Sequence, residues 1–243
     1  MDNRSTSQPT TSMGKEKLPW QAIFRLFMLI VIMLLVLFLS AGRLDWWEAW
    51  AYGAQALLVL LVSRGIMILK NPDQALERAQ AGKKENVKSW DRILMPLTAL
   101  YGPLISWILA GLDVRFGWSP DLPDWIQVVA LGVLVAGSLL GTWAMIANRF
   151  FSSHVRIQTD RGHNVVDSGP YRFVRHPGYA GGVISWLAAP IFFSSYWLAI
   201  PSFLMILANI LRTYLEDRTL QQELSGYRDY TQRVRYRLIP GIW

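Results

Sequence analysis

Four apolar runs, Trp20 to Ala41, Ala49 to Leu69, Ile93 to Leu112 and Trp125 to Ala147, each approach the roughly 20 residues a helix needs to cross a bilayer. No other feature restricts the fold as strongly, because backbone in lipid must satisfy its own hydrogen bonds, and only helices and closed barrels do so. The runs are continuous and long, not short and alternating, so they predict helices. A further apolar stretch, Gly178 to Leu215, is broken by Ser194 and Ser195, with Pro190 and Pro201 on either side of the break. That punctuation predicts a tight helical hairpin. The expected fold class is an all-α membrane protein of about six transmembrane helices, the last two a hairpin, followed by a cytoplasmic helical tail.

Composition agrees: of 243 residues, 52% are hydrophobic and 12 are tryptophan, so lipid is the main solvent. The net charge of +7 raises nucleic-acid binding, but the charges lie between apolar runs and not on one face of a soluble domain, so no nucleic-acid partner is expected. The chain has no cysteine, which excludes disulfides, thiolate metal sites and cysteine nucleophiles. Residues 1–19, rich in Ser, Thr and Gln, read as a disordered tail, and the apolar run after them is too long for a signal-peptide core. No cleavage is expected.

Lys and Arg are retained on the cytoplasmic side of a membrane, so their placement sets orientation. Arg4, Lys15, Lys17 and Arg25 precede or open the first span. Lys70, Arg78, Lys83, Lys84, Lys88 and Arg92 occupy the second connection, and Arg149, Arg156, Arg161, Arg172 and Arg175 the fourth. The first and third connections hold only Arg43 and Arg115, among several acids. Both termini are therefore expected in the cytoplasm, in a multi-pass protein of a bacterial inner membrane. Three regions follow: a tail over 1–19, spans over 20–140 that act as scaffold or acceptor channel, and a core over 141–243.

The chemistry concentrates in GPYRFVRHPGYAGG, residues 169–182, which brings Tyr171, Arg175, His176 and Tyr179 to the mouth of the fifth span. Aromatic and basic residues also form plain interfacial belts that anchor helix ends. A second polar cluster, Arg212, Glu216 and Asp217, lies at the end of the sixth span, and a hairpin would bring the two together. Arg212 and Glu216 are four apart and share a helix face, where a simple salt bridge is the alternative to a binding role. The three histidines, His154, His163 and His176, lack the spacing of a metal pair, so no metal is expected. Gly178 and Gly182 suit close helix packing. Asn148 and Arg149 have no assigned role, and Arg64 is read as snorkelling to the surface. The Arg-rich segment from Arg212 to Trp243 has apolar residues at helical spacing and is expected to lie on the membrane surface or to fold back over the site.

The run GHNVVDSGPYRFVRHPGYAG, residues 162–181, followed by the acidic pair at 216–217, the element Gly226 to Tyr230 and the ending RVRYRLIPGIW, resembles the isoprenylcysteine carboxyl methyltransferase family and its phospholipid methyltransferase relatives. The resemblance covers about residues 141–243. It implies an integral membrane enzyme that uses S-adenosylmethionine. By the same resemblance His163, Val166, Tyr171, Arg175, His176, Tyr179 and Glu216 bind the donor, and Arg212 and Glu216 are the catalytic residues. The acceptor it implies is small or lipid-like: a carboxylate, a thiol or a phospholipid amine. The pair is Glu-Asp where the family more often has Glu-Glu. The fourth span, Gly141 to Ala147, carries no arginine where the eukaryotic enzymes place one, which argues against prenylated protein C-termini as the acceptor. Two other readings are a membrane sterol or isoprenoid reductase using NADPH, and a small transporter, which would call for polar groups at mid-membrane.

Overall fold

The computed structural model describes residues 20–79 and 86–243. The tail over 1–19, with Arg4, Lys15 and Lys17, lies outside the described residues, as do Lys83 and Lys84. Long helices α1 (Trp20–Ala41) and α2 (Trp47–Lys70) are followed at once by a short α3 (Pro72–Ala79). Helix α4 (Asp91–Pro96) passes through a π turn (Leu97–Tyr101) into α5 (Gly102–Phe116), and α6 (Asp124–Ala147) comes next. After a long connection come α7 (Pro177–Phe192), α8 (Ala199–Glu223) and the short α9 (Tyr227–Arg233). No strand occurs among the described residues. The π turn falls between Pro96 and Pro103, whose missing N–H groups interrupt the regular ladder.

Among the described residues, four segments are long and apolar enough to cross a membrane: α1 from Phe24, α2, the continuous α4–α5 unit and α6. The hairpin α7–α8 falls outside that group because α7 has only 16 residues and α8 becomes charged in its second half. It nevertheless runs the length of the bundle, because its turn packs on the connection between α5 and α6. There Ser195 donates to Asp113, and Gln127 donates its amide N–H to the Ser194 hydroxyl. The Tyr196 N–H reaches Ser119 Oγ at 2.9 Å, and the Leu122 N–H reaches Ser194 Oγ at 3.2 Å. This is the end of the bundle remote from the basic connections.

The core joins α1, α2, α5, α6 and α7 through Leu37, Ala49, Ala110, Leu134 and Phe192, with Leu198 from the start of α8. Helix α7 approaches α6 backbone to backbone. A Cβ added at Gly181 would lie 2.4 Å from the carbonyl oxygen of Gly137, so neither position has room for a side chain. The close packing expected of Gly178 and Gly182 is thus made by Gly181. Gly178 instead lies against the Phe151 ring, and Gly182 faces Asn209.

Candidate active site at the mouth of the final helix pair

Helix α7 begins at Pro177, a residue pre-set for a first helical position, and α8 ends at Glu223, so the start of one lies beside the end of the other. The two polar clusters meet there. Tyr179 donates to Glu216 Oε2 at 2.6 Å, and His176 Nε2 stands 3.3 Å from Asp217 Oδ1.

The neighbours Glu216 and Asp217 point in different directions, as residues about 100° apart on a helix must. Glu216 lines a cavity of about 320 Å³, and among the described residues Tyr179 is its hydrogen-bond donor. Asp217 is fully buried and holds the tail. It accepts from Arg175 Nε at 2.8 Å and Nη2 at 3.1 Å, from Arg237 Nε at 2.9 Å, from Gln221 at 2.7 Å and from Tyr227 at 3.1 Å. Arg175 completes its fork on the carbonyls of Val234 at 3.0 Å and Arg235 at 2.9 Å. The N–H groups of Arg175 and His176 pair with the carbonyls of Tyr236 and Arg237, so the tail folds back against the site. Tyr230 adds a bond to the Tyr171 carbonyl at 2.6 Å. Arg175 therefore borders the cavity while most of its donors serve Asp217 and the tail.

Arg212 and Glu216 form no salt bridge with each other. Arg212 Nε donates to Asp91 Oδ1 at 2.7 Å and Nη2 to the Ser153 carbonyl at 2.7 Å, with its guanidinium over the Tyr179 ring. Asp91, fully buried at the start of α4, also accepts the Val155 N–H at 2.8 Å. His154 lies 3.3 Å from the same carboxylate but out of hydrogen-bond alignment. Asp91 is a site residue that the sequence did not single out.

All the residues singled out by sequence, His163, Val166, Tyr171, Arg175, His176, Tyr179, Arg212 and Glu216, line this one cavity. Burial and the nearby Arg156 and Arg161 pull the His163 imidazole down to about 4. It is neutral at pH 7, and because Nδ1 accepts the Gln158 N–H at 3.3 Å, the proton sits on Nε2. Burial raises the Tyr171 and Tyr227 phenols, so both remain donors. Gly169, in the left-handed region at φ 59°, starts the turn that carries Tyr171, and a Cβ there would lie 3.0 Å from Ala147.

Helix α3 underpins the wall opposite the tail. The Gln74 amide donates to the carbonyls of Met145 and Asn148 at 3.0 Å and of Phe151 at 3.3 Å, closing the end of α6. Glu77 and Asp160 pair with Arg156, and Asp73 pairs with Arg149 and Arg161. Arg149 thereby has a structural place it lacked in the sequence.

Residues 129–222 match the isoprenylcysteine carboxyl methyltransferase (ICMT) family. The matched segment runs from within α6 to the last turn of α8 and contains every residue singled out above, but neither α3, Asp91 nor the tail. The chain is 31% identical over 147 residues to the Protein-S-isoprenylcysteine O-methyltransferase of Homo sapiens, covering 54% of this chain and 47% of that protein. It is 28% identical over 121 residues to a Probable protein-S-isoprenylcysteine O-methyltransferase of Oryza sativa subsp. indica, covering 47% and 63%. The alignments thus span from about half to under two thirds of these relatives. Among solved structures, the eukaryotic intramembrane Ras methyltransferase ICMT is similar at a TM-score of 0.47 and 18% identity, over 92% of this chain and 87% of that one.

Proposed function

We propose that this protein is an integral membrane methyltransferase that moves a methyl group from S-adenosylmethionine to an anionic, lipid-like acceptor, a carboxylate in the first instance. The observation that carries the proposal is the pairing of Tyr179 with Glu216 beside His176 and His163, in one cavity, within the segment that matches the ICMT family. The donor set fits the methyl donor. Glu216 suits its ammonium or sulfonium, the Nε2–H of neutral His163 suits an acceptor atom, and Val165, Val166, Leu220 and Leu224 offer apolar wall for adenine. The cavity volume is at the small end of the range for small-molecule sites.

When bound, S-adenosylmethionine supplies an electrophilic methyl group for in-line displacement. The protein's share is alignment and exclusion of water. Glu216 and His163 hold one reactant, Arg212 orients the other, and Asp91 with the Ser153 carbonyl fixes the Arg212 fork. A carboxylate acceptor arrives with its lone pair exposed, so no side chain has to remove a proton. The six-traverse topology belongs to the same proposal: α7 and α8 cross beside α6 and return the chain to the basic side.

Purified protein in detergent, titrated separately with S-adenosylmethionine and NADPH while unfolding temperature is followed, tests the assignment. Stabilisation by S-adenosylmethionine is expected. Stabilisation by NADPH alone would favour a reductase and overturn it. His176→Ala should abolish the donor's effect while the protein still inserts.

A further inference from the structure

The arginines around the site have carboxylate partners, with one pair of exceptions. Arg156 has Glu77 and Asp160, Arg161 has Asp73, Arg175 and Arg237 have Asp217, and Arg212 has Asp91. Arg78 of α3 lines the cavity, yet among the described residues no carboxylate pairs with it. Its Nη1 donates to the Phe151 carbonyl at 3.2 Å, its guanidinium lies over the Phe151 ring, and its Nε is buried with no acceptor. Behind it, Arg64 of α2 reaches only the sulfurs of Met67 at 3.7 Å and Met145 at 3.8 Å, and its Nε is likewise buried and unsatisfied. Arg64, read in the sequence as snorkelling, is half-buried, reaches toward Met67 and keeps its Nε enclosed beside a second cation. Burial and Arg64 pull Arg78 down to about 9, which still leaves it charged at neutral pH. Two adjacent cations without a counterion are costly in a dry site unless an anion joins them.

Position says which anion. Arg78 hangs from the carbonyl of Phe151 and Arg212 from that of Ser153, two residues apart on the strip that walls the cavity. Two residues of extended chain span at most about 7 Å, so both guanidiniums are anchored to one short stretch of the same cavity wall. Arg212 already has Asp91; among the described residues Arg78 has no carboxylate. The wall on this side includes Met95 and Ala99, apolar residues of the α4–α5 span, one and two turns beyond Asp91. This is the bilayer side of the cavity, whereas His163, Leu224 and Tyr227 form its tail side.

We infer that Arg78, backed by Arg64, recognises the carboxylate of the methyl acceptor and sets the enzyme's preference for an anionic lipid-like substrate. The inference rests on the methyltransferase reading for the word acceptor, but the anion site itself does not depend on turnover.

The experiment uses the full chain in nanodiscs, with N-acetyl-S-farnesylcysteine as carboxylate probe and its C-terminal amide as control. Binding of each is measured by tryptophan fluorescence, and S-adenosylmethionine affinity by calorimetry. Wild type should bind the carboxylate at least about tenfold more tightly than the amide, the range of a charge-assisted pair. Arg78→Gln, which keeps a donor for the Phe151 carbonyl, should erase that preference, leave amide binding and S-adenosylmethionine affinity within about twofold, and raise KM for the acceptor far more than it lowers kcat. Arg78→Lys should restore part of the preference, and Arg64→Gln should weaken it less than Arg78→Gln. Equal binding of carboxylate and amide by wild type overturns the inference, as does an Arg78→Gln variant that loses donor affinity and keeps the carboxylate preference. If wild type binds no S-adenosylmethionine yet prefers the carboxylate through Arg78, the anion site stands and the methyltransferase reading falls.

Discussion

At the scale of single residues, Glu216 and Asp217 divide two tasks between neighbouring carboxylates. Glu216 faces the cavity with one bond from Tyr179, so Glu216→Gln should raise the donor's Kd about tenfold or more while leaving the unfolding temperature nearly unchanged, as calorimetry and thermal melts would show. Asp217 is buried among Arg175, His176 and Arg237, and its loss strands those cations. Asp217→Asn should cost about 3–5 kcal/mol of stability, read as a fall in the unfolding midpoint in detergent, and should loosen the tail. His163 gives a pH signature. Its folded-state value is about 4 against an ordinary 6.5, so the unfolded chain takes up a proton first as pH falls. The stabilisation is complete above pH 6.5 and declines between 6.5 and about 4, below which no further loss comes from this group. His163→Gln should flatten that part of the melting-temperature profile.

At the scale of elements, α3 bears the site although it touches few of the residues that name it. Its Gln74 caps three carbonyls at the end of α6, where the wall carrying Phe151 and Ser153 begins. Gln74→Ala leaves those acceptors short of a buried donor and should cost about 1–3 kcal/mol, with a parallel loss of donor affinity as the wall shifts. A destabilised variant with unchanged affinity would separate α3 from the site. Such a role was not legible in the sequence. Eight residues, although amphipathic, are too short a run to stand out in a charged connection, and their partners lie more than 70 positions away. The second connection could be read only for its positive charge, and Asp91 within it passed unnoticed because a lone acid beside Arg92 looks like an ordinary helix start. The α7–α8 hairpin was legible because its signals are local: the Ser194–Ser195 break, the flanking prolines and the motif entering α7. Shared lining of one cavity followed from that turn. The direction of each side chain did not, which is why the salt bridge weighed for Arg212 and Glu216 as the alternative to a binding role gives way to one between Arg212 and Asp91.

At the scale of the whole molecule, the polar groups sort to two ends of the bundle. One end holds the cavity, the tail and the paired arginines; the other holds Asp113, Ser119, Gln127 and the hairpin turn, joined by hydrogen bonds. Helix α7, at 16 residues, spans about 24 Å, short of a 30 Å hydrocarbon core, so length alone would leave its traverse undecided. Contact between the hairpin turn and the α5–α6 connection is the physical basis for proposing a full traverse. Ser194 and Ser195 share hydrogen bonds with residues at the end of one span and the start of the next, so the proposal puts them at the same membrane face as Asp121. The chain's lack of cysteine makes this directly measurable, because one introduced thiol is the only thiol present. Asp45→Cys, Asp121→Cys and Tyr196→Cys, all at exposed positions, should label with an impermeant maleimide from one side of sealed vesicles, and Asp167→Cys and Ser225→Cys from the other. If Tyr196→Cys labels together with Asp167→Cys, the hairpin does not cross the membrane. The six-traverse topology would then fall, while the cavity, walled by the connection that carries Asp167, would keep its place on the basic side.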